Sequence, residues 1–152
     1  MERTKSGSPI RFAAMIKATK VLNSLSIIFF MAILLLVYAY LPIMVDLNVE
    51  RLKDFHKQTF FYYTVGGFVV VNVILKLVTS LGAKYLPKEP QAWLNAIIFV
   101  INFNITLIVG FIGVWNNPAH IEPESFAYLN YMGPILIIIW VIGLIFLYFK
   151  KK

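Results

Sequence analysis

Four stretches of about 20 largely apolar residues, roughly 21–41, 60–81, 93–115 and 131–149, constrain this chain more than any other feature. Each is close to the length a helix needs to cross about 30 Å of hydrocarbon. In lipid the backbone N–H and C=O groups must be satisfied within the segment, so runs like these are predicted to be helices. Composition agrees: 60% of the 152 residues are hydrophobic, against about 45–50% in soluble domains, and the mean hydropathy is +0.78. The predicted fold is all-α, a polytopic membrane protein in a single membrane domain (1–152). It is a four-transmembrane-helix bundle with short amphipathic loop helices. The first run is too long for a signal-peptide core and its small-residue site near Ala39 is poor for cleavage, so it is read as a span.

Charge predicts an orientation. Of the 14 basic residues, Arg3, Lys5, Arg11, Lys17, Lys20, Lys84, Lys88 and Lys150 to Lys152 fall on one side of the spans. Only Arg51, Lys53 and Lys57 fall on the other, among Asp46, Glu50, Asp54, Glu122 and Glu124. The positive-inside rule then puts the N- and C-termini in the cytoplasm, and a bacterial inner membrane is the expected location. The net charge of +7 reads as this orientation signal, not as a nucleic-acid surface, because the basic residues are scattered along membrane edges without a recognition motif. Tyr38, Tyr40, Phe60 to Tyr63, Trp115, Tyr128 and Tyr131 mark the outer boundary; Tyr85, Trp93, Tyr148 and Phe149 mark the inner one.

Between the spans, Ser8-Pro9 is an N-cap followed by proline at the first helical position. It opens an amphipathic segment, 8–20, read either as a helix along the inner membrane surface or, in preference, as an extension of span one. The stretch DLNVERLKDFHKQ after Pro42 predicts a short amphipathic helix with Val49, Leu52 and Phe55 or His56 on one face. Pro123 predicts a short interfacial helix, and Gly133-Pro134 a kink at the entry to span four. A faint echo relates Leu22-Asn23 to Leu94-Asn95, and Phe60, Tyr62 and Gly67 to Phe126, Tyr128 and Gly133. The offsets, 72 and 66, differ, which favours coincidence over a parallel repeat.

Polar residues inside the spans are the candidate site. Counted from the inner edge at about 1.5 Å per residue, Asn72, Asn102 and Trp140 share one level near the midplane. Unpaired polar groups there cost several kcal/mol, so the three are expected to pair across helices. Asn95, Asn102, Thr106, Gly110 and Gly113 fall on one stripe of span three, with Thr106 and Gly110 as a small-xxx-small pair. Asn104 faces away and is expected to need a partner of its own, in another subunit if not in this one. Asn72 and Lys76 share a face of span two; Lys76 is close enough to the inner edge to snorkel, with Asn23, Ser24 and Ser26 at a depth to hydrate it. One reading makes Asn72, Lys76, Asn95 and Asn102 a vestibule for an anion or lipid headgroup. The other, which is preferred, makes them helix-packing contacts beside a snorkelling lysine.

The chain lacks much chemistry. No span contains Asp, Glu or His and there is no cysteine, which removes proton relays, thiolate sites and haem held between spans. His56 and His120 lie in outer loops near acidic residues, but without a metal-ligand spacing they read as solvated side chains. An enzyme, a cofactor and a metal site are therefore not expected. The expected role is a non-catalytic subunit or accessory factor of a larger membrane complex, with a membrane-protein partner or a homo-oligomer and no nucleic acid. The alternatives are a small oligomeric transporter or channel for an anion or polar solute, and a lipid-binding membrane protein.

Overall fold

The computed structural model describes residues 8–47, 55–86, 88–117 and 122–149, without the side chains of 8–13 and 88–89. Four long helices dominate: α1 (Ser8–Tyr40), α2 (Lys57–Ala83), α3 (Lys88–Trp115) and α4 (Leu129–Phe149). All four helical regions are long and apolar enough to cross a membrane, so the chain is an integral membrane protein of the all-α class. Its helices run up, down, up, down. Contacts at Asn23–Asn95 and Val37–Gly113 set α1 parallel to α3, while Asn72–Asn102 and Trp93–Trp140 set α2 and α4 antiparallel to it.

The hub is α3. It packs against α1, α2 and α4, whereas α1 and α2 meet each other only sparsely. A core runs along Phe30, Leu34 and Val37 of α1 and Leu41 just after it, closed by Val45, Phe60, Phe68 and Val109. The spacing of the three α1 residues puts them on one stripe. Phe30 and Phe68 stack with parallel rings 3.6 Å apart, and Tyr38 meets Phe61 at 5.0 Å. These aromatic contacts supply much of what little joins α1 to α2 directly. At Gly113 the α1 surface comes close to α3, where an added Cβ would lie 2.8 Å from Val37. At Gly110 the same hypothetical atom would sit an ordinary 3.9 Å from Ile33.

Local chemistry explains the ends. Ser8 to Tyr40 is one uninterrupted helix of 33 residues, about 50 Å long at 1.5 Å per residue. The amphipathic segment 8–20 therefore prolongs the first span beyond the hydrocarbon and does not turn along its surface. Pro42, with no N–H to give, follows the helix end. The described ends of the loop expected to hold an amphipathic helix form a two-stranded antiparallel pair, β1 (Met44–Val45) with β2 (Phe55–His56). The Lys57 N–H extends it by donating to the Ile43 carbonyl. Phe55 is drawn into this pair by edge contact with Tyr63, and the His56 Nδ1 caps α2 by accepting from the Gln58 N–H at 3.3 Å. Val49, Leu52 and Asp54 lie outside the described residues. Pro123 opens a 3₁₀ turn (Pro123–Phe126) ahead of α4, and Pro134 sits inside α4 itself.

The hairpin echo does not survive as packing. Gly67 has open space around it, but Gly133 is buried against Asn104. Phe60 belongs to α2, whereas Phe126 belongs to the 3₁₀ turn.

Candidate functional site

Asn102 is the centre of the intramembrane polar groups. It is 0% exposed and lies on the face of α3 that looks between α1 and α2. Its amide and that of Asn72 bond reciprocally: the Asn72 Nδ2 donates to Asn102 Oδ1 at 2.9 Å, and the Asn102 Nδ2 donates to Asn72 Oδ1 at 3.0 Å. The second Asn102 N–H goes to Ser26 Oγ on α1 at 3.0 Å. Ser26 in turn donates to the Asn23 carbonyl, and the remaining Asn72 N–H reaches the Phe68 carbonyl one turn back. Thr106, 2% exposed, gives its hydroxyl proton to the Asn102 carbonyl at 2.7 Å. Every amide group of Asn72 and Asn102 has a partner, and the cluster ties three helices at one depth. Three-way satisfaction fits hydrocarbon, where a bulk-water alternative is missing.

Nearer the chain-terminal end of the bundle a second polar layer joins α1 to α3. The Asn23 Nδ2 donates to the Asn95 carbonyl at 3.2 Å, and the Asn95 Nδ2 bonds the Gln91 carbonyl of its own helix. Asn95 thus contributes its backbone to the contact with α1, and its amide is not part of the Asn72–Asn102 cluster. Asn23 Oδ1 is buried without a partner. Gln91 spans the α2–α3 turn, donating to the carbonyls of Ala83 and Leu86. It satisfies carbonyls that the end of α2 would otherwise leave open.

Lys76 stands apart. Its side chain is exposed on the outer surface of α2, and only its backbone carbonyl engages a neighbour's side chain, accepting from the buried Thr79 hydroxyl. Ser26, placed by its depth among groups able to hydrate Lys76, bonds Asn102 instead. Trp140 is likewise outside the amide cluster. Its indole N–H donates to the Trp93 carbonyl at 2.9 Å, and the Trp93 indole returns a bond to the Trp140 carbonyl at 2.8 Å. The depth count placed Trp140 at the level of the amides, but its partner Trp93 lies nine residues along α3 from Asn102, so Trp140 sits nearer the terminal end as well as on the other face of α3, where α4 packs. Asn104 points to that face too. It lies against Gly133, where any Cβ would overlap its amide, so its neighbour is α4 of the same chain.

Four contributors were missed in the sequence: Ser26 as an acceptor, Trp93 as the second indole, and Gly133 and Gly143 as the smooth face of α4. Gly143 lies under the Trp93 ring with no room for a Cβ. Its spacing of ten residues from Gly133, together with two tryptophans near span boundaries, is the signal that was present. Among the described residues no group of three His, Cys, Asp or Glu gathers as a metal site; His120 lies outside them. Comparison of the chain with protein-family models, with curated proteins and with solved structures gives no match.

Proposed function

We propose that the chain is a non-catalytic subunit or accessory factor of a larger membrane complex. The observation that carries this reading is the closure of the amide cluster. Asn72 and Asn102 use their donors and acceptors on each other, on Ser26 and on local backbone, leaving nothing turned toward a solute. Polar side chains so arranged fix helix register; such bonds average about 0.6 kcal/mol each in membranes. Lys76, the one charge inside a span, faces outward and not into this cluster. A transport pathway would need the opposite arrangement, with unsatisfied groups lining a cavity.

In this reading the protein lies in a bacterial inner membrane with both termini in the cytoplasm. The exposed Lys17, Lys20 and Lys84 at the terminal end support that orientation. Broad apolar surfaces of α2 and α4 remain available to a partner helix. The test is purification from the native membrane in mild detergent, followed by mass spectrometry of what accompanies the chain. A stoichiometric membrane partner is expected; a lone chain would overturn the proposal. Lys76→Leu should leave that partnership unchanged, and a loss of solute flux in liposomes on this substitution would favour a transporter instead.

A further inference from the structure

Lys76 lies seven residues inside the end of α2, about 10 Å from Ala83 along the axis, and its side chain is exposed on the outer surface of that helix. A charge held against hydrocarbon is costly unless something meets it. Among the described residues the acidic side chains are Asp46, Glu122 and Glu124, all toward the opposite end of the bundle. Glu89 lies in the first turn of α3, thirteen residues before Asn102, whereas Lys76 is four residues from Asn72, the partner of Asn102. That sets the two about 13 Å apart along the bundle, too far to pair. We propose that Lys76, Ser80 and Lys84 bind the phosphate of an anionic phospholipid on the outer surface of α2, with its acyl chains along Val69 and Val73.

Four observations support that chemistry. First, the three residues follow one another at intervals of four, which makes them neighbours along one side of the helix, and all three are exposed. Lys84 caps α2 with helical backbone angles, so the row continues to the helix end. Each lysine is one turn, about 6 Å, from the level of Ser80, a distance its four-carbon stem can cover. Second, the Ser80 hydroxyl bonds no described residue. Thr19, Ser24, Thr79 and Thr106 all give their protons to carbonyls of their own helix. The acceptor open to Ser80 in that way is the Lys76 carbonyl four residues back, and the Thr79 hydroxyl takes it at 3.2 Å. A donor is thus left exposed between two cations. Third, the end of α2 carries about half a negative charge, which two ammonium groups outweigh. The net field favours an anionic headgroup over a zwitterionic one, as basic residues at a membrane surface do. Fourth, the row runs on toward the other end of α2 through Val73 and Val69, each 54% exposed, to Gly66, which has open space around it. A free anion would leave this apolar row unused; a phospholipid covers it with its chains.

The test uses the full chain in neutral-detergent micelles. Phosphatidylglycerol and phosphatidylcholine with the same acyl chains are added in equal amounts, and retained lipid is counted by native mass spectrometry. Phosphatidylglycerol should be kept in preference. Lys76→Leu should weaken its retention about tenfold or more, the loss expected when one charge-assisted contact goes. Lys76→Arg, which keeps the charge, should restore most of it, and Lys84→Gln should weaken it in the same direction as Lys76→Leu. The control is Lys17→Gln with Lys20→Gln, which removes two equally exposed cations at the same end of α1 and should leave retention unchanged. An equal loss in that control would mean diffuse charge and no site. Equal retention of phosphatidylcholine, unchanged retention in Lys76→Leu, or displacement of the lipid by inorganic phosphate at matched concentration would each overturn the proposal. So would the loss of a copurifying protein from Lys76→Leu with lipid retention intact, because the cation would then serve a carboxylate of that protein. The lipid measurements are made on the isolated chain and stand whether or not it has a protein partner.

Discussion

The two faces of α3 hold their neighbours by different means. Toward α1 and α2 an apolar core is tied by polar side chains: Asn102 bonds Asn72 and Ser26, and Asn95 takes the amide of Asn23 through its carbonyl. Toward α4 it is steric: Asn104 and Trp93 press into the gaps at Gly133 and Gly143, and two indoles bond backbone carbonyls. The difference follows from the number of helices involved. Two helices that barely touch each other but both pack on a third can be tied by a branched connector, and an asparagine amide can serve two neighbours at once. Two helices in continuous contact need only smooth surfaces, because dispersion over a close interface does the rest. Among the described residues of α4, Gly133 alone is buried, so its attachment rests on few points.

The largest expected effect is at the branched connector. Asn102→Ala removes the partners of Asn72 and Ser26 together and leaves a small void. The loss should be about 2–3 kcal/mol, mostly from polar groups left buried and unpaired. The midpoint of unfolding in mixed micelles measures it. Adding Asn72→Ala to the variant should cost less than the two single changes summed, since the second amide is already orphaned. Strict additivity would mean the reciprocal pair contributes nothing as a pair.

On the other face, Gly143→Ala should cost about 2 kcal/mol, within the range for overpacking. The Trp93 ring cannot swing clear without giving up its bond to the Trp140 carbonyl. Unlike the loss at Asn102, this one should fall on α4 alone, read as faster proteolysis or amide exchange in 129–149 with the other helices unchanged. Uniform loosening of all four helices would erase the distinction between the faces.

How much of this was legible in the sequence depended on whether depth alone decides the outcome. Span length and hydropathy fixed four helices, because lipid permits few alternatives. The matching depths of Asn72 and Asn102 led to their pairing, since both already faced the same neighbour. Trp140 came out at neither that depth nor that side: it pairs with Trp93, nearer the terminal end, because one-dimensional counting can neither set the shift of α4 along α3 nor place it around α3. Ser26 was missed because serine on a helix usually satisfies itself by bonding back, as it also does here to Asn23. The loop around Phe55 was misread as helix at its described end because amphipathic spacing over few residues cannot compete with strand pairing to Met44 and Val45.

A smaller effect is expected at Trp93→Phe. The outer indole ring over Gly143 is trimmed back and one of the two indole bonds goes. The carbonyl left behind belongs to a helix and retains its backbone donor, so the loss should be about 1 kcal/mol. The same substitution should soften the clash at Gly143, so that Gly143→Ala costs less in the Trp93→Phe background. An undiminished cost would mean that contacts other than the Trp93 indole set the spacing between α3 and α4 at Gly143.

The smallest effect sharpens the comparison most. Gly67 occupies the place in α2 that Gly133 occupies in the echo of the second hairpin, but nothing lies within 4 Å of where its Cβ would be. Gly67→Ala should change stability by less than about 0.5 kcal/mol, as for an exposed site, with a slight gain from helix propensity. Gly133→Ala, made alongside, must displace the Asn104 amide from a buried position and should destabilise clearly. A matched pair of small effects would mean that Asn104 simply rotates away, and α4 would then be held by the tryptophans alone. A large effect at Gly67 would show α2 pressed against something the single chain does not contain, a helix of a partner or of a second copy. The glycine that is idle within the monomer is therefore also a local sensor of assembly, and the same substitution should be scored for retention of any partner that copurifies with the chain.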